Sequence, residues 1–119
     1  MTSFIVLTLF KDMFEGFLNT SIIKRAIDEK LIDINVIDIR DFSLNKHKKV
    51  DFPPYGGGSG MIMSCEPLSK SIDYSISILK KLDKKIKIIY LSPRGKVLNY
   101  NLSRSLALCD SNYILIFGQ

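Results

Sequence analysis

The chain has 119 residues, of which 46% are hydrophobic, so it can bury one modest core and is not an unstructured tail. Its 17 Lys and Arg oppose 12 Asp and Glu, and the formal net charge of +5 is compatible with an anionic partner. The apolar runs are far too short to span a bilayer, no signal-peptide pattern opens the chain, and Cys65 and Cys109 lack CxxC or Cys/His spacing. These features argue against a membrane protein, a disulfide scaffold or a zinc module, and one soluble cytoplasmic domain with reduced thiols is expected.

In chain order, "FIVLTLF" at the start reads as an apolar strand of a sheet covered on both faces. Residues 11–18 predict a short helix. Residues 20–30 predict a second, with Thr20 or Ser21 as N-cap and Ile22, Ile23, Ala26 and Ile27 on one face. "LIDINVIDI" predicts a strand whose inward set is Ile32, Ile34 and Val36 or the offset pair Ile37 and Ile39.

A long polar passage, residues 40–63, follows without clear periodicity, and loops of that length inside compact domains are commonly functional. From Pro67, a natural first helical residue, Leu68, Ile72, Ile76 and Leu79 mark one face of a helix ending near Leu82. The lysines Lys80, Lys81, Lys84 and Lys85 are expected to close that helix, where cations suit the macrodipole. "IKIIYLS" predicts a third strand, "PRG" a turn, residues 98–108 a helix, and "YILIFG" a last strand. This alternation predicts an α/β fold with a mainly parallel sheet and flanking helices. In such folds ligands sit beyond the carboxyl ends of the strands, which directs attention to residues 40–63, 92–95 and 118–119.

The glycine cluster in "PPYGGGSGMIM" matches neither a P-loop nor GxGxxG. Its bare backbone suits close approach to a ligand, and it suits a hinge or tight turn equally. The turn in "YLSPRG" leaves backbone groups that suit an adenine or ribose, although a plain turn before a helix explains it as well. His47, the only histidine, lies among Lys46, Lys48 and Lys49. It reads as a solvated loop residue or as part of a contact to an RNA phosphate. Asp51 either balances charge in that loop or accepts hydrogen bonds from a guanine edge. No Ser/His/Asp set and no metal-ligand spacing stands out.

Taken together, "LTLFKDMFEGF", "IRDFSLNKHKKVD", "PPYGGGSGMIM", "IYLSPRGKVL" and "LIFG" resemble the bacterial tRNA (guanine-37-N1)-methyltransferases. These belong to the SPOUT class of trefoil-knot, S-adenosylmethionine-dependent methyltransferases. The resemblance runs nearly end to end and implies roles that composition does not. S-adenosylmethionine, the methyl donor, would be held by Tyr90, Leu91, Ser92, Pro93 and Gly95, with Gly118 on the neighbouring loop. Tyr55, Gly56, Gly57, Gly58, Gly60 and Met61 would line the place where donor and target guanine meet. Asp51 would read the neighbouring guanine, and His47 and Lys48 would lie along the tRNA backbone. The resemblance also implies a homodimer with shared active sites.

Arg94 stands where the family commonly has glutamine, Ser59 where it has proline, and Gln119 where it has a basic residue before Tyr-Glu-Gly. The family's general-base aspartate, the rest of the knot and the C-terminal tRNA-binding domain are expected beyond Gln119. Residues 1–119 are therefore expected to be the N-terminal part of the methyltransferase domain, with no catalytic residue of their own and no activity in isolation. A non-catalytic RNA-binding or regulatory module that keeps part of the fold is the alternative. A SPOUT enzyme acting at another RNA position is a third reading.

Overall fold

The structure, a computed structural model, describes residues 1–43, 51–52, 62–63, 65–92 and 95–117. Strand β1 (Thr2–Thr8) leads through a 3-10 turn (Lys11–Met13) into helices α1 (Phe14–Leu18) and α2 (Ser21–Asp28). Strand β2 (Ile32–Asp38) ends in a second 3-10 turn (Ile39–Phe42), followed by the short strands β3 (Asp51–Phe52) and β4 (Ile62–Met63). Helix α3 (Cys65–Leu79), strand β5 (Lys85–Leu91), helix α4 (Tyr100–Leu108) and strand β6 (Ser111–Phe117) complete the described chain.

Four strands form one parallel sheet in the order β2-β1-β6-β5, and β3 pairs with β4 as a separate antiparallel hairpin. The expected α/β architecture is therefore present, with the larger sheet wholly parallel. Alternation assigns the two faces. Ile5 and Leu7 of β1 lie beside Ile114 and Ile116 of β6, and all four are buried with Leu9, Ile39 and Leu79. Helix α3 covers this face, bringing Leu68, Ile72 and Ile76 against it as the sequence spacing predicts.

Two serines let α3 approach closely, Ser71 and Ser75, both fully buried. Their hydroxyls donate to the carbonyls of Leu68 and Ser71, each at 2.7 Å, so no polar group is stranded in the contact. At the amino end of the sheet, Asn112 accepts from the Ser3 N–H at 2.9 Å and extends the β1–β6 pairing one residue below Phe4–Tyr113.

Both sets of apolar residues in β2 are used. Ile37 and Ile39 join the core, while Ile32 and Ile34 face the other side of the sheet. There a cavity of about 600 Å³ lies between the sheet and helices α1 and α2, walled by groups such as Phe4, Val6, Phe14, Phe17, Ile34 and Leu115.

Some boundaries differ from the sequence expectation. Helix α3 starts at Cys65, two residues before Pro67, because the first-turn amides of a helix have no internal acceptor and a proline there breaks nothing. It ends at Leu79, so the lysines after it lie in a turn and at the start of β5, not in the last helical turn. Thr20 occupies the N-cap of α2 without capping it, since its hydroxyl donates back to the carbonyl of Gly16. Helix α4 begins at Tyr100, where Asn99 caps it by accepting from the Leu102 N–H at 2.8 Å.

The β5–β6 register also builds a polar group at the amino end of the sheet. Lys85 and Lys87 lie beside Ser111 and Tyr113, and the Cys109 sulfur lies 3.3 Å from the Ser111 hydroxyl. The hydrogen bond from Ser111, then that from Lys87, holds the Cys109 thiol below the ordinary thiol range, and Cys109 in turn raises Lys87. Alkylation of Cys109 by iodoacetamide, read by peptide mass spectrometry, is therefore expected to show a midpoint below that of a free thiol. Ser111→Ala should move that midpoint upward, and an unmoved midpoint would discount the hydrogen bond. A lowered folded value also means that this thiolate favours the fold at pH above the unfolded thiol's pKa. That contribution is lost as pH falls through the folded value.

Candidate functional site

The site builds up from the carboxyl ends of the parallel strands, where open α/β sheets leave a crevice. Chain order reverses direction between β1 and β6: β2 lies on one side of β1, while β6 and β5 lie on the other. At this crossover the ring of Phe14 meets that of Phe117 edge-on, with centroids 5.2 Å apart.

On the β5 side, Tyr90 and Leu91 end the strand with 57% and 42% of their surfaces exposed, large values for residues the apolar run would bury. The Gly95 N–H donates to the Ser92 carbonyl at 3.2 Å, closing the turn expected from "SPRG". Among the described residues, a Cβ placed on Gly95 would meet the Ser92 carbonyl at 3.5 Å, an ordinary van der Waals contact. Since β5 is an edge strand, one side of its backbone has no sheet partner among the described residues. Amide and carbonyl groups in a row, flanked by exposed Tyr90 and Leu91, fit a flat heteroaromatic ring carrying its own donors and acceptors.

On the β2 side, the 3-10 turn after Asp38 carries "IRDF". Asp38 accepts from the Arg40 backbone N–H at 2.9 Å and from its guanidinium at 3.3 Å and 3.4 Å. The ring of Phe42 packs on Tyr74 of α3, with centroids 5.5 Å apart, so the turn is fixed to the helix. Asp38 and Arg40, with Lys11, Asp12 and Met13 from the turn after β1, line a small polar pocket of about 160 Å³. Sequence reading gave Asp38, Arg40 and Asp12 no role. The clue was their position just past two strand ends that the sheet order makes neighbours.

Asp51 opens the β3–β4 hairpin, in which it lies opposite Met63 and Phe52 lies opposite Ile62. The strand pair joins the two ends of the passage that holds the glycine cluster, an arrangement that the aperiodic sequence did not reveal. His47, Lys48, Pro93, Tyr55, Gly56, Gly57, Gly58, Gly60, Met61 and Gly118 lie outside the described residues. Of the residues expected to hold the donor, Tyr90, Leu91, Ser92 and Gly95 are brought together at one turn.

The larger cavity is not the site. Its wall is almost wholly apolar, and its one hydroxyl, that of Thr8, already accepts from the Phe10 N–H at 3.0 Å. Among the described residues, its lining offers little beyond the Thr8 O–H to orient a polar substrate.

A family model described as tRNA (Guanine-1)-methyltransferase TrmD matches residues 2–119. The chain belongs to this family. A tRNA (guanine-N(1)-)-methyltransferase of Clostridium botulinum is 52% identical over 102 residues, which are 86% of this chain and 40% of that protein. One from Ruminiclostridium cellulolyticum is 45% identical over 115 residues, covering 97% of this chain and 48% of the relative. Among solved structures, the tRNA (m1G37) methyltransferase of Aquifex aeolicus superposes with a TM-score of 0.78 at 30% identity, over 96% of this chain and 50% of that one. The chain thus spans two fifths to one half of these tRNA (guanine-1)-methyltransferase relatives. The match supports the mainly parallel α/β fold, and it covers both the β5 turn and the β3–β4 hairpin.

Proposed function

We propose that the protein transfers a methyl group from S-adenosylmethionine to ring nitrogen 1 of guanine at position 37 of tRNA. The observation that carries this reading is the family match over residues 2–119 to a chain whose β5 ends in exposed Tyr90 and Leu91 at the carboxyl edge of the sheet. S-adenosylmethionine supplies an electrophilic methyl on a sulfonium. The exposed edge and turn at Tyr90, Leu91, Ser92 and Gly95 would hold its adenosine by backbone hydrogen bonds, with Pro93 and Gly118 completing the contact.

The protein's own contribution is placement and proton control. Direct transfer needs the sulfur, the methyl carbon and the ring nitrogen in line, and a misplacement of about 1 Å costs on the order of 100-fold in rate. Tyr55, Gly56, Gly57, Gly58, Gly60 and Met61 would bring bare backbone against both reactants. Guanine carries a proton on the attacking nitrogen, so a base must take it within hydrogen-bond reach. We assign that base to the part of the family protein that this chain does not span, and none of residues 1–119 to it. Asp51 would accept from the N–H groups of the neighbouring guanine, and His47 and Lys48 would contact backbone phosphates.

The same reading makes residues 1–119 the N-terminal part of a SPOUT methyltransferase domain. It places the protein in the cytoplasm as a homodimer with shared sites and gives it a trefoil knot and a C-terminal tRNA-binding domain. No helix among the described residues is long and apolar enough to cross a membrane.

The test is methyl transfer from labelled S-adenosylmethionine to a tRNA transcript, with the modified nucleotide mapped by mass spectrometry. N1-methylguanine at position 37 is expected. Methylation elsewhere would favour another SPOUT enzyme, and RNA binding with no transfer by the protein would favour a non-catalytic module. Residues 1–119 alone should bind S-adenosylmethionine weakly in a calorimetric titration. Tight binding by that segment would overturn the assignment of half the pocket to the remainder.

A further inference from the structure

The eight residues from Lys80 to Lys87 contain five lysines and a single carboxylate, Asp83, in a chain whose whole net charge is +5. Much of the positive excess therefore lies in this stretch, apart from the cluster of Lys46, Lys48 and Lys49. That stretch joins the end of α3 to the start of β5, at the amino pole of the sheet. β5 rises about 23 Å over its seven residues, so these lysines lie roughly 20 Å from the turn at Ser92.

The turn has a defined shape. The Lys80 N–H donates to Ile76 at 2.8 Å, Leu82 to Leu79 at 3.0 Å and Lys84 to Leu82 at 2.7 Å. Lys84 is occupied structurally, bonding the Met1 carbonyl at 2.7 Å and pairing with Asp110 at 3.4 Å. Lys80, Lys81, Lys85 and Lys87 are exposed, Lys87 while also bonding the Cys109 thiol. Lys85 and Lys87 share one face of the edge strand about 7 Å apart, a spacing of the same order as that of successive phosphates on one nucleic-acid strand.

Two simpler roles explain only parts of this cluster. Cations after a helix favour its macrodipole, but that field fades within a turn and does not reach Lys85 or Lys87. Lysines also guard edge strands against unwanted pairing, which would account for Lys85 and Lys87 but not for Lys80 and Lys81.

We infer that Lys80, Lys81, Lys85 and Lys87 form a second contact surface for the phosphate backbone of the RNA substrate, remote from the reacting base. This rests on the RNA-methyltransferase reading above. The surface sets affinity and leaves base choice to the carboxyl-end site, because phosphate contacts carry no sequence information.

The experiment compares the protein with its K80Q/K81Q/K85Q/K87Q variant. Binding to a tRNA transcript with guanine at position 37 is followed by fluorescence anisotropy across a salt series, and methyl transfer is measured in parallel. Each lost phosphate contact lowers the slope of log affinity against log salt by about 0.7 to 0.9, so the variant's slope should fall by roughly 3. KM for tRNA should rise at least about ten-fold with kcat unchanged. Lys24→Gln, which removes a lysine already paired with Asp28 at 2.9 Å, should leave both values alone.

A variant with wild-type melting temperature, slope and KM, in a protein that does methylate guanine, overturns the surface and leaves the function intact. An equal loss of slope in Lys24→Gln also overturns it, since general charge would then suffice. A wild-type protein that transfers no methyl group to RNA overturns the function and, with it, the RNA assignment of these lysines.

Discussion

Asp51→Ala is expected to lower kcat/KM for guanine methylation by about a thousand-fold, with the melting temperature nearly unchanged. Two hydrogen bonds from guanine N–H groups to a carboxylate are worth about 1.5 to 3 kcal/mol each, and their loss leaves the guanine edge unpaired in the complex. The backbone of Asp51 belongs to the β3–β4 hairpin, opposite Met63, and alanine keeps that pairing available. Steady-state kinetics on a tRNA transcript with guanine beside the target provide the measurement. A transcript with adenine in place of that neighbour should be a poor substrate for the wild type and should gain nothing further from the substitution. If Asp51→Ala costs the same factor on both transcripts, Asp51 does not read the neighbouring base.

Ile114→Ala should destabilise the fold by about 3 to 4 kcal/mol, a large share of the 5 to 15 kcal/mol usual for a small domain. Ile114 is fully buried in β6 between Ile5 of β1 and Ile88 of β5, beneath α3, so truncation leaves a cavity in the core. The matched substitution Ile88→Ala removes the same atoms one strand away, where 48% of the side chain is exposed. It should cost less than about 1 kcal/mol. Urea denaturation of both variants measures the difference. An Ile88→Ala cost equal to that of Ile114→Ala would mean that the exposed face of β5 is covered in solution.

These contrasts show how far the sequence could be read. Strand and helix positions were legible because apolar spacing reports local periodicity directly: Leu68, Ile72, Ile76 and Leu79 face the core as their spacing predicts. The carboxyl-edge turn was legible too, since Ser-Pro-Arg-Gly can close few backbone shapes. The family resemblance was carried by loops, whose side chains and glycines serve chemistry more than packing.

Other features depended on which elements became neighbours. Ile88 and Ile114 are the same residue type in similar apolar runs, yet one is exposed and the other fully buried, because β5 lies at the sheet edge and β6 in its interior. The Asp38–Arg40 pair acquired a pocket only when β1 and β2 became adjacent and brought Lys11 and Asp12 beside it. The β3–β4 hairpin joins residues ten and twelve apart through two pairs with no alternating pattern to announce them.

By itself, the sequence determined the four strands of the main sheet, the helices, the α/β class and the family, because each is written in local spacing or short motifs. Only the tertiary structure decided strand order, which apolar residues are buried, and that the lysine-rich turn lies at the opposite end of the sheet from the β5 turn. Those properties come from long-range packing: a parallel strand finds its neighbours through crossovers and shared cores, and no local period encodes that choice.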